Sequence, residues 1–319
     1  METTAINDLS LLNAIEVWHL NEDGRRLDLA GGLYRGVERF ESLNRSSQSG
    51  SEEGLAGWTS AARVPVVFED LNSPELSHSR ATINAGSTSA IGLPVYDGHD
   101  ITSVILFLCR QKAGVTGVFE SWLPDDSRRE LMLGTGYYSH LERFRRMSQY
   151  IRFPYGAGLP GEVWQTGMPR LINPLGDSIE FLRASGAHAE GLHCGMALPL
   201  ISDDDMLRSV FVMLSSECSP LARVFQIWTP ISGTPEFELS DTATCGVKNL
   251  ECLASELHYS PGEGLVGRVL KSRRAILTLS FEDEKPGVAE AAAGAGITWA
   301  LAWPVIAHHQ IQAVCVLMD

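Results

Sequence analysis

Apolar and polar positions alternate near the start of the chain in a way that predicts paired strands. "AIEVWHL" (14–20) and "RRLDLAGG" (25–32) flank the turn "NEDG", a hairpin signal. Val37, Phe40 and Leu43 then fall at i, i+3 and i+6, the spacing of one helix face. The segment "GSEEGLAGWTSAARVP" (50–65) opens a second helix and leads to the strand "VPVVFEDL" (64–71). A further helical stretch precedes "TSAIGLPVYDGHDITSVILFLC" (88–109), which reads as a strand, a turn around Asp97–Asp100, and a strand. Hairpin strands with intervening helices describe an α+β domain with an antiparallel sheet.

This pattern recurs. "EVWHLNEDGRRLDLAGGLYRGVERFESL" (16–43) aligns with "ESWLPDDSRRELMLGTGYYSHLERFRRM" (120–147) at a constant shift of 104, without a gap. Trp18 meets Trp122, Leu29 meets Leu133, and Tyr34 meets Tyr138. A weaker third copy starts at "QIWTPISGTPEFELS" (226–240), with Trp228 at the tryptophan position. The motif G-L-x-G occurs at Gly54, Gly158 and Gly264, and a strand with a central proline follows each at Pro94, Pro199 and Pro304. Those prolines are 105 residues apart in both intervals, too long for a solenoid unit and long enough for a complete core. Three domains are expected, at 1–110, 111–216 and 217–319.

The 319 residues are 44% hydrophobic and 20% charged, an ordinary globular composition. No apolar run approaches the ~18 residues of a membrane span, and the N-terminus has no basic leader before an apolar stretch. A cytoplasmic protein with no membrane partner is expected. The net charge of −14 repels polyanions, so no nucleic-acid partner is expected. The basic cluster "LERFRRMSQYIR" (141–152) is the local exception and reads as the solvated face of an amphipathic helix. Cys109, Cys194, Cys218, Cys245, Cys252 and Cys315 form no C-x-x-C pair, and no metal site is expected.

The glycines of "GAGLPGEVWQTGMP" (156–169) lack the Lys-Ser/Thr pair of a phosphate-binding loop. Backbone geometry at a loop-to-helix corner is what remains for them. Together with Phe181, Arg183 and Ala184 of an F-x-R-A helix and an A-x-P-hydrophobic strand, residues 153–214 resemble the GAF domain family. The second repeat matches best. The first keeps "GLAGWTSAARVPVVFEDL", "SRATINAG" and "GLPV", while the third keeps "GEGLVGRVL" and "AWPV" but has no arginine in "GVAEAAAGAG" (287–296). The resemblance implies an antiparallel sheet flanked by helices in each domain, with a small-molecule pocket between sheet and helices around F-x-R-A. Family members bind cyclic nucleotides, bilins, haem, 2-oxo acids or other metabolites, and some dimerise.

None of the family's specific chemistries is spelled out. A bilin site implies Cys followed by His, whereas Cys194 follows His193. The family's cyclic-nucleotide signature is absent from "INPLGD" (172–177) and "FEDEK" (281–285). Its methionine sulfoxide reductases imply several converging cysteines, and Cys194 is the single pocket candidate. "ISDDDML" (201–207) and "AHHQ" (307–310) read as solvated turns. Arg183 is left with two readings, pairing with a ligand carboxylate or with an acid on its own helix. Candidate ligand-binding residues are Phe153, Trp164, Phe181, Arg183, His193 and Met196, although core packing explains each of them as well.

The junctions "RQKAGVTG" and "SSECSPLA" are of hairpin length, which predicts that the last strand of one repeat lies beside the first strand of the next, fusing the domains into a compact assembly. With no catalytic arrangement and no effector segment after the third closing strand, the expectation is a non-enzymatic ligand-binding or sensing protein. Its output would pass through a partner protein or a homo-oligomer, and its ligand and cofactor are unspecified. An interaction scaffold with filled pockets and a thiol-dependent redox enzyme are the alternatives.

Overall fold

The three predicted repeats each close one six-stranded antiparallel sheet. The computed structural model describes residues 10–35, 48–50, 53–71, 86–112, 114–125, 127–202, 206–245 and 257–319. The helix around Val37 to Leu43, the segment "SRATINA" (79–85) and the three aspartates of 203–205 lie outside these described residues.

Repeat 1 contributes β1 (Leu12–Leu20), β2 (Arg26–Tyr34), β3 (Gln48–Gly50), β4 (Val66–Phe68), β5 (Ser89–Asp97) and β6 (Asp100–Cys109), in the order β3-β2-β1-β6-β5-β4. Repeat 2 repeats that order with β7 (Gly117–Asp125), β8 (Glu130–Tyr137), β9 (Phe153–Pro154), β10 (Arg170–Ile172), β11 (Leu192–Ile201) and β12 (Leu207–Ser216). Repeat 3 does so with β13 (Val224–Pro230), β14 (Phe237–Thr244), β15 (His258–Tyr259), β16 (Ile276–Thr278), β17 (Ala300–Ala307) and β18 (Gln310–Met318). Flanking helices are α1 (Gly54–Ala62), α2 (Glu142–Tyr150), α3 (Gly158–Thr166), α4 (Ala184–Ala189), α5 (Gly264–Ser272) and α6 (Val288–Gly294). The chain is thus three tandem α+β domains of GAF-like type.

Two local devices recur. A register shift precedes each tryptophan, at Val17/Trp18, Ser121/Trp122 and Ile227/Trp228, so a β-bulge on the neighbouring strand, with Ala30, Gly134 or Ser240 as the extra residue, faces the same position three times. At the helix corner, Gly158 has φ +66° and a Cβ on Gly161 would lie 2.2 Å from the Pro154 carbonyl oxygen. Left-handed backbone and close backbone approach therefore account for that corner, as expected from the sequence.

Strand pairing stays within each repeat and does not cross the junctions. β6 pairs with β1 of its own repeat, and β12 pairs with β7, so each sheet closes on itself. The reason is that β6 and β12 are spent as central strands, with both edges already occupied. The junction loops instead tie to each other: Thr116 N–H donates to Ser219 Oγ at 2.8 Å, and that hydroxyl donates back to the Thr116 carbonyl at 3.3 Å.

The three domains meet face to face. β4 of repeat 1 lies against β8 of repeat 2, β10 of repeat 2 against β14 of repeat 3, and β16 of repeat 3 against β2 of repeat 1. This cyclic pattern closes a ring with pseudo-threefold symmetry. One face of each sheet packs into a shared central core, with Phe107 stacked on Phe119 at 5.4 Å and Phe119 on Phe211 at 6.0 Å. Burying one such phenylalanine is worth ~1.5–3 kcal/mol. The opposite face of each sheet carries that domain's helices.

The repeated prolines belong to this symmetry. β4 accompanies β5 only as far as Gly92, β10 accompanies β11 as far as Ala197, and β16 accompanies β17 as far as Ala302. Pro94, Pro199 and Pro304 each stand two residues further on and line a single axial cavity of about 20 Å³. A proline brings no N–H to a strand edge that has no strand beside it.

The interface between repeats 3 and 1 has no covalent connection and is the most polar. The Arg273 guanidinium is bidentate to Asp97, at 2.5 and 2.7 Å. Ala275 N–H donates to Ser103 Oγ at 3.1 Å, and the Ala275 carbonyl lies 2.8 Å from His19 Nε2. The Asp319 carboxylate accepts from Arg35 of repeat 1 and from Arg223 of repeat 3.

Candidate functional site

Repeat 2 builds its site on the helix-bearing face of its sheet. Glu120 and Trp122 alternate on β7, so both side chains point to that face. The Trp122 indole N–H donates to Glu120 Oε2 at 2.9 Å. Phe144 and Ser148 come from α2, Phe153 from β9, and Phe181 and Arg183 from the turn leading into α4. All of these side chains are buried, Glu120 and Arg183 completely so.

Arg183 sits at the centre. Its Nη1 and Nη2 donate to Glu120 Oε1 and Oε2 at 2.5 and 2.7 Å, a bidentate pair, and Nη1 also donates to Ser148 Oγ at 2.6 Å. Its guanidinium carbon lies 4.7 Å from the ring centre of Phe144, 5.2 Å from Phe181, 5.4 Å from Trp122 and 5.5 Å from Phe153. These are cation–π distances. Burial and the charge of Glu120 push the neighbouring Tyr138 phenol up. Where the resemblance implied a small-molecule pocket, the chain has placed its own ion pair inside an aromatic cage.

The six sequence candidates therefore divide. Phe153, Phe181 and Arg183 come together in this cage. The partner of Arg183 is an acid of the sheet, 63 residues away, and does not lie on its own helix. Met196 is on the other face of β11, in the central core shared by the repeats. Trp164 is at the end of α3, edge-on to Tyr155 at 5.2 Å, and borders an outer cleft of about 300 Å³ together with His308 of repeat 3. His193 is half-buried at the start of β11, and its carbonyl accepts the Leu175 N–H at 2.7 Å.

Sequence reasoning missed Glu120, the acid of the cage. The signal was present in the recurring E-x-W spacing, because a glutamate two residues from a buried tryptophan shares its face. Glu16 in repeat 1 accepts from Trp18 Nε1 at 2.9 Å and from the Tyr34 hydroxyl at 2.8 Å, and burial pushes its carboxyl up. Repeat 3 keeps the geometry with a neutral group: Trp228 Nε1 donates to Gln226 Oε1 at 3.0 Å. The arginine is absent from the same repeat.

Cys194 is fully buried in the central core. Burial first, and then the neighbouring Cys245 and Asp241 of repeat 3, hold its thiol well above the ordinary range. A thiol so held is a poor nucleophile. Among the described residues, no group of three or more His, Cys, Asp or Glu side chains is placed to hold a metal ion. Nor is any described helix long and apolar enough to cross a membrane.

No family model matches the chain, and no curated protein matches it. Solved structures do match one domain's worth of it. The GAF domain of Aquifex nlh2 in an inactive state is 17% identical over 31% of this chain and 57% of its own, with a TM-score of 0.26. The free methionine-R-sulfoxide reductase of Neisseria meningitidis, solved with its substrate, is 18% identical over 33% of this chain and 53% of its own, with a TM-score of 0.25. A Staphylococcus aureus NreA protein mutated in its nitrate-binding site is 18% identical over 31% of this chain and 72% of its own, again with a TM-score of 0.25. The first two are thus matched over little more than half their length. These likenesses assign no residue role here.

Proposed function

We propose that the chain is a non-enzymatic interaction scaffold, a closed ring of three sensor-type domains whose boundaries fall in the 110–116 and 217–223 connections. One observation carries this reading. Arg183, Glu120 and their aromatic cage fill the space where the family resemblance implies a ligand in repeat 2. The pair is fully buried and bidentate; the Arg183 Nε–H is left without a hydrogen bond inside the cage, but displacing either member of the pair would strand the other charge. Burial of Cys194 weighs against the thiol-dependent alternative. The rigid inter-domain core favours output through partner proteins over flexing between domains.

One observation favours a second reading, ligand binding confined to repeat 3. There Gln226 stands in place of the acid and the arginine is missing, so among the described residues no ion pair takes the place of the Glu120–Arg183 pair.

A native mass spectrum of protein purified from its own host separates the two. The scaffold reading expects the bare chain mass and a protein that co-purifies in fixed ratio. A stoichiometric small molecule retained without any partner would overturn it in favour of ligand binding.

A further inference from the structure

The exposed face of α2 is a strongly basic surface that the fold does not require. Arg143, Arg146 and Arg152 are all exposed along residues 142–152 of a chain whose net charge is −14. Arg143 and Arg146 have no ion-pair partner among the described residues, whereas Arg145, on the neighbouring flank, reaches Glu69 of repeat 1 at 3.2 Å. Tyr150 stands 84% exposed at the end of this helix.

Apolar side chains continue the face. Leu182 is 52% exposed and Ile179 95% exposed, although Phe181 and Arg183, between and beside them, point into the cage. Leu182 sits next to Phe153 over the Gly158 corner, and Gly186 packs on Met147 and Phe144 of α2. The segment around Leu182 therefore runs alongside α2 and β9. A basic helix face ending in exposed Tyr150, with exposed Leu182 beyond Phe153, is the result.

Internal comparison indicates that this is not a by-product of the fold. At the shift of 104, repeat 1 keeps Arg39 for Arg143 but has Ser42 for Arg146, Ser46 for Tyr150 and Gln48 for Arg152. At the shift of 106, repeat 3 has Asn249, Cys252, Glu256 and His258 in those places. Three copies of one architecture need the same core, and what only one copy carries is free of that need.

We propose that this face of repeat 2 docks a short acidic segment, interspersed with apolar residues, of a partner protein. The proposal rests on the scaffold reading and names its surface. Charge complementarity selects the partner: carboxylates meet Arg143, Arg146 and Arg152, and apolar side chains cover Tyr150 and Leu182. A short segment reaches the face without bringing a large like-charged body against the rest of an acidic chain. A bilayer or a nucleic acid would bring such a body, and its negative charge faces the full −14.

Photo-crosslinking in the native host tests it. A benzophenone amino acid is placed at Tyr150 of the full chain, and in a second variant at Leu279, an exposed apolar site on repeat 3 at 48% exposure. The expected result is one protein captured at 150, with the crosslink in a stretch of net negative charge that contains apolar residues. Adding Arg143→Glu and Arg146→Glu should lower its yield about tenfold or more, with the circular dichroism spectrum unchanged. A synthetic peptide of the captured stretch should bind the purified chain and not the charge-reversed variant. A neutral or basic stretch, a yield indifferent to charge reversal, or capture of lipid or nucleic acid alone would overturn the proposal. Capture of a partner at 279 but not at 150 would remove this face and leave the scaffold. A stoichiometric small molecule with no protein captured at either position would remove both.

Discussion

Repeats 2 and 3 hold the same tryptophan behind the same β-bulge and surround it with different chemistry. In repeat 2 the indole of Trp122 donates to a carboxylate that also binds a buried guanidinium. In repeat 3 the indole of Trp228 donates to an amide, and no guanidinium is present. The acid and the arginine have thus been lost together. Losing either alone strands a charge in a dry site, whereas losing both leaves a neutral hydrogen bond. The comparison teaches that Arg183 goes with an acid on the sheet of its own domain, and that where the acid is an amide the arginine is missing too.

The largest effect expected follows from breaking repeat 2's pair. Arg183→Met should cost about 3–5 kcal/mol of stability, because Glu120 is left buried and uncompensated. Urea unfolding followed by tryptophan fluorescence measures it. A loss below about 1 kcal/mol would mean that Glu120 has another partner.

Moving repeat 3 halfway toward repeat 2 should cost less. Gln226→Glu places a carboxyl in a buried site without the arginine and should destabilise by about 2 kcal/mol at pH 7. Burial raises a carboxyl's folded-state pKa, as it does for Glu16. The penalty should therefore be absent below the unfolded-state value of about 4.3 and grow as the pH climbs above it. A deficit that shrinks with rising pH would contradict the burial assigned to this position.

The two domains differ again at the end of the G-L-x-G helix. Gly167 closes α3 with φ +66°, and Arg273 closes α5 with φ +57° while binding Asp97 of repeat 1. Arg273→Gly copies repeat 2 and relieves the left-handed backbone, but it removes a partly exposed ion pair from the ring-closing interface. A net loss below about 1 kcal/mol is expected, with Asp97→Ala, which gains no such relief, losing more. Stabilisation by Arg273→Gly together with no effect from Asp97→Ala would mean that the pair does not hold the ring shut.

The smallest expected effect is none at all. In native protein, a thiol reagent should modify exposed Cys218 and leave buried Cys109, Cys194 and Cys315 untouched until unfolding, as peptide mapping would read. Modification of Cys194 at the rate of Cys218 would revive a redox role.

Much of this was legible in the chain. The constant shift of 104, the three tryptophans and the three G-L-x-G corners announced three similar domains, because each marks a backbone feature that the fold needs in every copy. The direction of Met196 was not legible. Nearly every residue of β11 is buried, since helices cover one face and the other repeats cover the opposite one, so alternation cannot say which face is which. Pairing of Glu120 with Arg183 was hidden by the sequence distance between them. Pairing at the junctions was not legible for a different reason: a short connection between strands usually means a hairpin, but here both neighbouring strands are already paired within their own sheets.

A double-mutant cycle on Glu120 and Arg183 tests the central claim most directly. Glu120→Gln, Arg183→Met and the double variant, which copies repeat 3, are unfolded in urea beside the wild type. The account predicts a coupling of about 2–3 kcal/mol, with the double variant more stable than Arg183→Met alone. Additive losses, with a coupling near zero, would contradict it and return Arg183 to the role of a group awaiting a ligand.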